Sequence, residues 1–187
     1  MPLSHTSKAF GVVDAKIAAL TADPAGGAAT YGTLTDVPGM KSVTIGGDIT
    51  TNELRGDNQL LDANSVLSTV TLEFEYAKLS LDAIKILVGG TIVDAGTTPN
   101  QTANYTLLGT DTLGYFRFTA KTPTAGGDSV TGDVQFELYK CILTGFPEMG
   151  LAEEDYKTFT VSAIALPRLS DQKWIRTAFQ ETQSALV

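Results

Sequence analysis

The chain has 187 residues, 43% of them hydrophobic and 8% aromatic, and 13 basic against 21 acidic residues leave a formal net charge of −8. That apolar share can build the core of one domain and excludes disorder throughout, while the acidity opposes binding to the outside of nucleic acid or to an anionic membrane surface. Eighteen glycines and seven prolines scattered among runs rich in Val, Thr, Ile, Tyr and Phe disfavour the helical and coiled-coil classes and point to a mainly β fold.

The N-terminus, MPLSHTSKAFGVVDAKIAAL, lacks the basic start and long apolar run of a signal peptide. A cytosolic origin is the simpler expectation. Its first nine residues read as a loose polar lead, and FGVVDAKIAAL as a strand before the turn cluster DPAGG at 23–27. Val43 and Ile45 share one face of a short strand expected to end at Gly46 and Gly47. The following TNELRGDNQLLDAN is polar and turn-rich, so residues 48–64 are expected to form an extended functional loop.

A strand over 65–78 follows. In TVTLEFEY the side-chain period of two places Val70, Leu72, Phe74 and Tyr76 on a face made for burial, with Thr69, Thr71, Glu73 and Glu75 on a wet one. A short helix comes next: Ser80 is a good N-cap, Asp82 suits the positive end of the helix dipole, and Gly89 is a C-terminal stop. Leu81, Ile84, Leu87 and Val88 form its apolar stripe, which covers a sheet.

Beyond a loop at 97–104 and a strand at 105–108, the segment LGYFRFTAK sets Phe116, Phe118 and Ala120 against Tyr115, Arg117, Thr119 and Lys121. In GDVQFELYKCIL, Val134, Phe136, Leu138 and Ile142 oppose Asp133, Gln135 and Glu137, with Cys141 on the polar side. A final strand spans 157–167. Strands with one apolar and one polar face belong to antiparallel sheets. The expected fold is therefore an antiparallel β-sandwich or half-barrel with one flanking α-helix. With no repeat and no linker, residues 1–187 read as one domain, its core at about 10–168 and its tail, 170–187, an arm. Trp174, Ile175, Ala178 and Phe179 have the spacing of a short amphipathic helix that docks on its own domain or on a neighbouring subunit.

Chemistry-bearing patterns are sparse. The only histidine, His5, lies near the terminus, which argues against histidine-based triads. Cys141 is the only cysteine; this excludes an intrachain disulfide framework and a CxxC-type metal site, and without a histidine in its pattern it reads as a strand residue. Glu73 and Glu75, about 6–7 Å apart on one strand face, have the arrangement of a glycosidic carboxylate pair or of a solvated face. Glu153, Glu154 and Asp155 read as a wet loop, and GGDSVTGD lacks a calcium-loop pattern. The glycine pairs at 46–47, 89–90 and 126–127 lack the continuation of a phosphate loop, and Arg55-Gly56-Asp57 is too short to identify an adhesive motif. No run approaches the ~18 apolar residues of a membrane span. No enzyme, cofactor, metal or membrane insertion is expected.

TLTDVPGMKSVTIGGD, the long polar segment after it, VLSTVTLEFEYAKL running into SLDAIKILVGG, and the late strands ending in KTFTVSAIALP together resemble the major tail tube proteins of long-tailed bacteriophages. The resemblance covers about residues 10–168 and rests on order and local pattern. It implies a structural virion protein, assembled in the host cytoplasm, whose hexameric rings stack into a hollow phage tail tube for genome delivery. It also implies partners: further copies of itself, a tape measure, a tail terminator, baseplate or distal tail proteins, and double-stranded DNA passing without sequence-specific binding. Under that reading Thr69, Thr71, Glu73, Glu75, Gln135 and Glu137 face the lumen, where acids repel DNA phosphates. Glu53, Arg55, Asp57 and Asn58 in the long loop, with Trp174 and Phe179 in the arm, contact the neighbouring ring. The rival readings are a non-tube β-sandwich module of a virion or cell surface, for receptor binding or capsid decoration, and a small hydrolase dependent on Glu73 or Glu75.

Overall fold

The computed structural model describes residues 8–125, 132–149 and 158–186. Among them are twelve strands and one helix: β1 (Lys8–Ala9), β2 (Asp14–Ala22), β3 (Thr30–Tyr31), β4 (Thr35–Asp36), β5 (Met40–Gly56), β6 (Gln59–Tyr76), α1 (Leu81–Val88), β7 (Thr91–Ala95), β8 (Thr102–Thr106), β9 (Phe116–Ala125), β10 (Asp133–Leu143), β11 (Phe159–Ala165) and β12 (Ile175–Gln180). The main sheet runs β3-β2-β9-β10-β11-β6-β5, with β12 also on β10, and its pairings are antiparallel. The fold is an antiparallel β-sandwich with a flanking helix, as the alternating patterns lead one to expect.

Strand β10 belongs to both layers. Its first half, Asp133–Leu138, pairs with β12, and its last residues, Cys141–Leu143, pair with β11. A bulge between Leu138 and Cys141 marks the switch and bends the strand between layers. It also reverses the facing of the residues beyond it. Cys141 turns into the core opposite Phe116, while Ile142 lies half-buried opposite Ile164. The alternation expected to run straight through the strand is corrected here, because one extra residue shifts every later side chain to the other face.

Leu72, Phe74 and Tyr76 of β6 meet Ile17, Phe116, Phe118 and Leu138 from the other layer, all fully buried. Each large apolar side chain so buried contributes about 1.5–3 kcal/mol. The helix closes this core with Ala83, Ile84, Leu87 and Val88, whereas Leu81 is only half-buried. The Ser80 hydroxyl accepts the Ala83 N–H at 3.3 Å, as an N-cap should. Gly89 and Gly90 both have positive φ, and a Cβ on Gly90 would lie 2.7 Å from the Thr106 carbonyl oxygen. The pair thus ends the helix and brings β8 against it.

Three further expectations are corrected. Residues 48–64 form no loop: β5 runs through Gly46 and Gly47 to Gly56, and β6 returns from Gln59. Asp57 and Asn58 make the two-residue turn, with φ of +51° and +61°, which only turn-tolerant residues adopt readily. The glycines allow close pairing rather than a stop, since a Cβ on Gly46 would meet the Thr71 hydroxyl at 2.8 Å. The strand expected at 105–108 is β8, three residues earlier, and β7 pairs with it. Finally, the tail carries a strand, not a helix: β12 pairs residue by residue with Asp133–Leu138, where an uncovered edge would leave backbone groups unpaired.

Candidate assembly surfaces

The wet face of β6 is continued by its neighbours. Ser42, Thr44, Gly46 and Asp48 lie beside Glu75, Glu73, Thr71 and Thr69 on β5, and Thr160, Ser162 and Ile164 lie beside Glu75, Glu73 and Thr71 on β11. Thr69 donates to Asp48 at 3.1 Å. Glu73 is exposed and Glu75 half-buried, 3.8 Å from Lys41. The surface is broad, hydroxyl-rich and mostly acidic.

Gln135 and Glu137 do not join it. They occupy the outer face of the opposite layer, beneath the C-terminal segment. Glu137 is only 15% exposed and lies 3.2 Å from Arg117 and 3.5 Å from Arg176. Gln135 donates to the Ser184 hydroxyl at 2.9 Å, the Asp133 carboxylate accepts the Ser184 N–H at 3.1 Å, and Leu186 is buried nearby. Thr119 and Asp133, expected to be wet, are buried there too. The six residues assigned to one lumenal face therefore divide between two surfaces of the subunit.

Beyond Asp48 and Thr69 the β5–β6 hairpin leaves the core as a ribbon. Ile49, Leu54, Leu60, Leu61, Val66 and Leu67 on it are between 44% and 67% exposed. Glu53, Arg55, Asp57 and Asn58 lie toward its tip, with Arg55 holding Glu53 at 2.7 Å. Strand β11 pairs only with Val70–Tyr76, so β6 has a free edge from Gln59 to Thr69, and β5 ends the sheet among the described residues. A bare two-stranded ribbon is marginal in water, and this much exposed aliphatic surface calls for a covering partner.

Trp174 and Phe179 lie elsewhere, on their own domain: Trp174 packs against the core and Phe179 pairs with Val134. A cluster that the sequence patterns did not single out fastens this arm. Asp23 accepts from Lys140, from the Leu169 N–H, both at 2.9 Å, and from the Ser170 N–H at 3.3 Å. Burial raises the Asp23 pKa, but these donors together hold it below its ordinary value. Arg168 stacks over Tyr139, 3.8 Å from the ring centroid, and forks onto Asp171 at 2.9 and 2.5 Å. That fork holds the Asp171 carboxyl down at about 2. The signal was weak because Asp23 is separated from Lys140, Leu169 and Ser170 by more than a hundred residues in sequence.

Burial pushes the Cys141 thiol up, keeping it protonated in the core. His5, Glu153, Glu154 and Asp155 lie outside the described residues, as does most of GGDSVTGD. Among the described residues no group of three or more His, Cys, Asp or Glu could hold a metal ion, and no helix is long and apolar enough to cross a membrane. The fold defines the class, an antiparallel β-sandwich with a projecting ribbon. No protein-family model matches the chain, and no curated protein matches it significantly.

Proposed function

We propose that the chain is a structural subunit that self-associates into rings stacked as a hollow tube, of the kind that phage tails use to conduct double-stranded DNA. The observation that carries this reading is the ribbon: residues 48–68 are exposed on both faces, carry six exposed aliphatic side chains, and have, among the described residues, a free backbone edge along each strand. Such an element gains its stability from another chain. A surface repeated on identical subunits, with donor and acceptor at different places, closes into a ring or extends into a helix.

The acidic face of β5, β6 and β11 suits a conduit wall. Asp48, Glu73 and Glu75 outnumber the one ammonium among its described residues, Lys41, so it repels phosphate rather than holding it. On this reading Thr69, Thr71, Glu73 and Glu75 face the channel, and Gln135 and Glu137 stabilise the subunit.

Electron micrographs of the purified protein, fresh and after concentration, together with its solution mass, test the proposal. Rings or tubes with a central channel are the expected result. Closed oligomers without a channel, or a monomer at every concentration, would favour a receptor-binding or decoration module instead.

A further inference from the structure

The sandwich has a groove of about 480 Å³ between the edge strand β5 and the opposite layer, reached past the β1–β2 connection. Val43, Ile45, Ala120 and Phe136 supply its apolar lining, and Lys41 its charge. Lys41 is 54% exposed, and its contact with Glu75 at 3.8 Å is loose. Lys121 also borders it, but its ammonium turns to the outer face, where it donates to the Ser184 carbonyl beside Gln135. One wall is the β5 edge at Lys41–Ile45, whose outward backbone groups have no strand partner among the described residues.

The ribbon presents what this groove lacks. Its exposed Leu60 and Leu61 are aliphatic, and a bulge where Leu54 pairs with Asp62 and Arg55 with Leu60 sets the two leucines side by side. Asp48, Glu53, Asp57 and Asp62 against Arg55 make it acidic. Its β6 edge is free from Gln59 to Thr69 among the described residues. Apolar side chains, opposite charge and an unpaired strand edge thus occur on both sides, and strand addition uses all three together.

We infer that the groove receives the ribbon tip of a second copy of this chain, with Leu60 or Leu61 seated against Val43 and Phe136 and the ribbon acids beside Lys41. The inference rests on the assembly reading above and names the acceptor site that reading leaves open.

Two single-site variants, Val43→Cys in the groove and Leu60→Cys on the ribbon, are mixed, concentrated and mildly oxidised. Cys141 is buried and does not interfere. The expected result is a disulfide between the two variants that forms in the mixture and in neither variant alone. Lys41→Cys, at the exposed rim, serves if Val43→Cys fails to fold. Tubes without this cross-link would overturn the groove inference and leave the tube reading standing; a cross-linked pair without rings or tubes would do the reverse. Loss of all association would overturn both. A groove cysteine that instead captures Ser4→Cys of its own chain would show the N-terminal residues to be the occupant and overturn the inference. Charge exchange gives an independent readout: K41E should weaken association about threefold, and adding E53K/D62K on the mixing partner should restore it. Equal weakening with and without the exchange would count against the contact.

Discussion

The ring of Phe74 on β6 stacks on that of Phe118 on β9, with centroids 5.0 Å apart and planes 26° apart. These strands are not neighbours in the sheet, so the contact is made across the core, between layers. Its consequence reaches the surface. Because alternate residues point oppositely, Glu73 and Glu75 must emerge on one side of the sandwich and Glu137 on the other. Phe118→Ala should cost about 3–5 kcal/mol through the cavity left beside Phe74. Denaturant unfolding measures it, and a loss below about 1 kcal/mol would mean the layers do not meet there.

The two acidic sites should respond differently to neutralisation. Glu73→Gln with Glu75→Gln removes wet charges and should change stability by no more than about 0.5 kcal/mol. Assembled particles should keep their form and pass DNA more slowly. Glu137→Gln instead withdraws the carboxylate from Arg117, itself only 15% exposed, and should destabilise the subunit. Equal thermal melts for the two variants would refute the division.

Shortening the ribbon should separate folding from assembly. Replacing residues 50–66 by an Asn-Gly turn removes no member of the core cluster, so the unfolding midpoint should hold while rings or tubes disappear. Truncation after Leu169 should act otherwise. It strips β12 from β10 and Trp174 from the core, so loss of the folded subunit is expected, seen as an early melt by circular dichroism.

The arm's fastening should be acid-labile. Asp23 and Asp171 both have lowered pKa values in the fold, Asp171 to about 2 from an ordinary 3.8. A carboxylate depressed in the folded state contributes stability above its unfolded pKa and loses it as pH falls through the folded value. Trp174, which sits beside this cluster, should therefore change its fluorescence between about pH 4 and pH 2. Asp23→Ala should cost about 3–5 kcal/mol, because it leaves the Lys140 ammonium buried without its partner.

Tyr76 offers a stabilising change. Its hydroxyl is fully buried and makes no hydrogen bond among the described residues, so Tyr76→Phe removes an unsatisfied group and should stabilise the protein by about 1–3 kcal/mol. A lower melting temperature in the variant would show that the hydroxyl has a partner.

Several elements are legible in the linear pattern for a common reason. Val70, Leu72, Phe74 and Tyr76 lie inside, as do Phe116, Phe118 and Ala120, and Ser80 and Gly89 bound the helix. In each case the determining interaction is local: strand alternation, a hydroxyl three residues from the N–H it caps, a glycine at positive φ. The ribbon was less legible because Asn52, Glu53, Asp62 and Asn64 read as loop by composition, and only pairing across the turn supplies the backbone hydrogen bonds that make them strand.

By itself the sequence determined the antiparallel β class, the buried faces of β6 and β9, and the helix with its caps, because nearest-neighbour geometry suffices for those. Tertiary structure alone decided that Gly46 and Gly47 carry a strand onward, that Cys141 rather than Ile142 faces the core, that Trp174 leads into a strand on β10, and that Glu73 and Glu137 point apart. Each of these depends on which distant backbone supplies a partner or which layer lies opposite, and residues far apart in the chain set those relations only when the sheet folds over on itself.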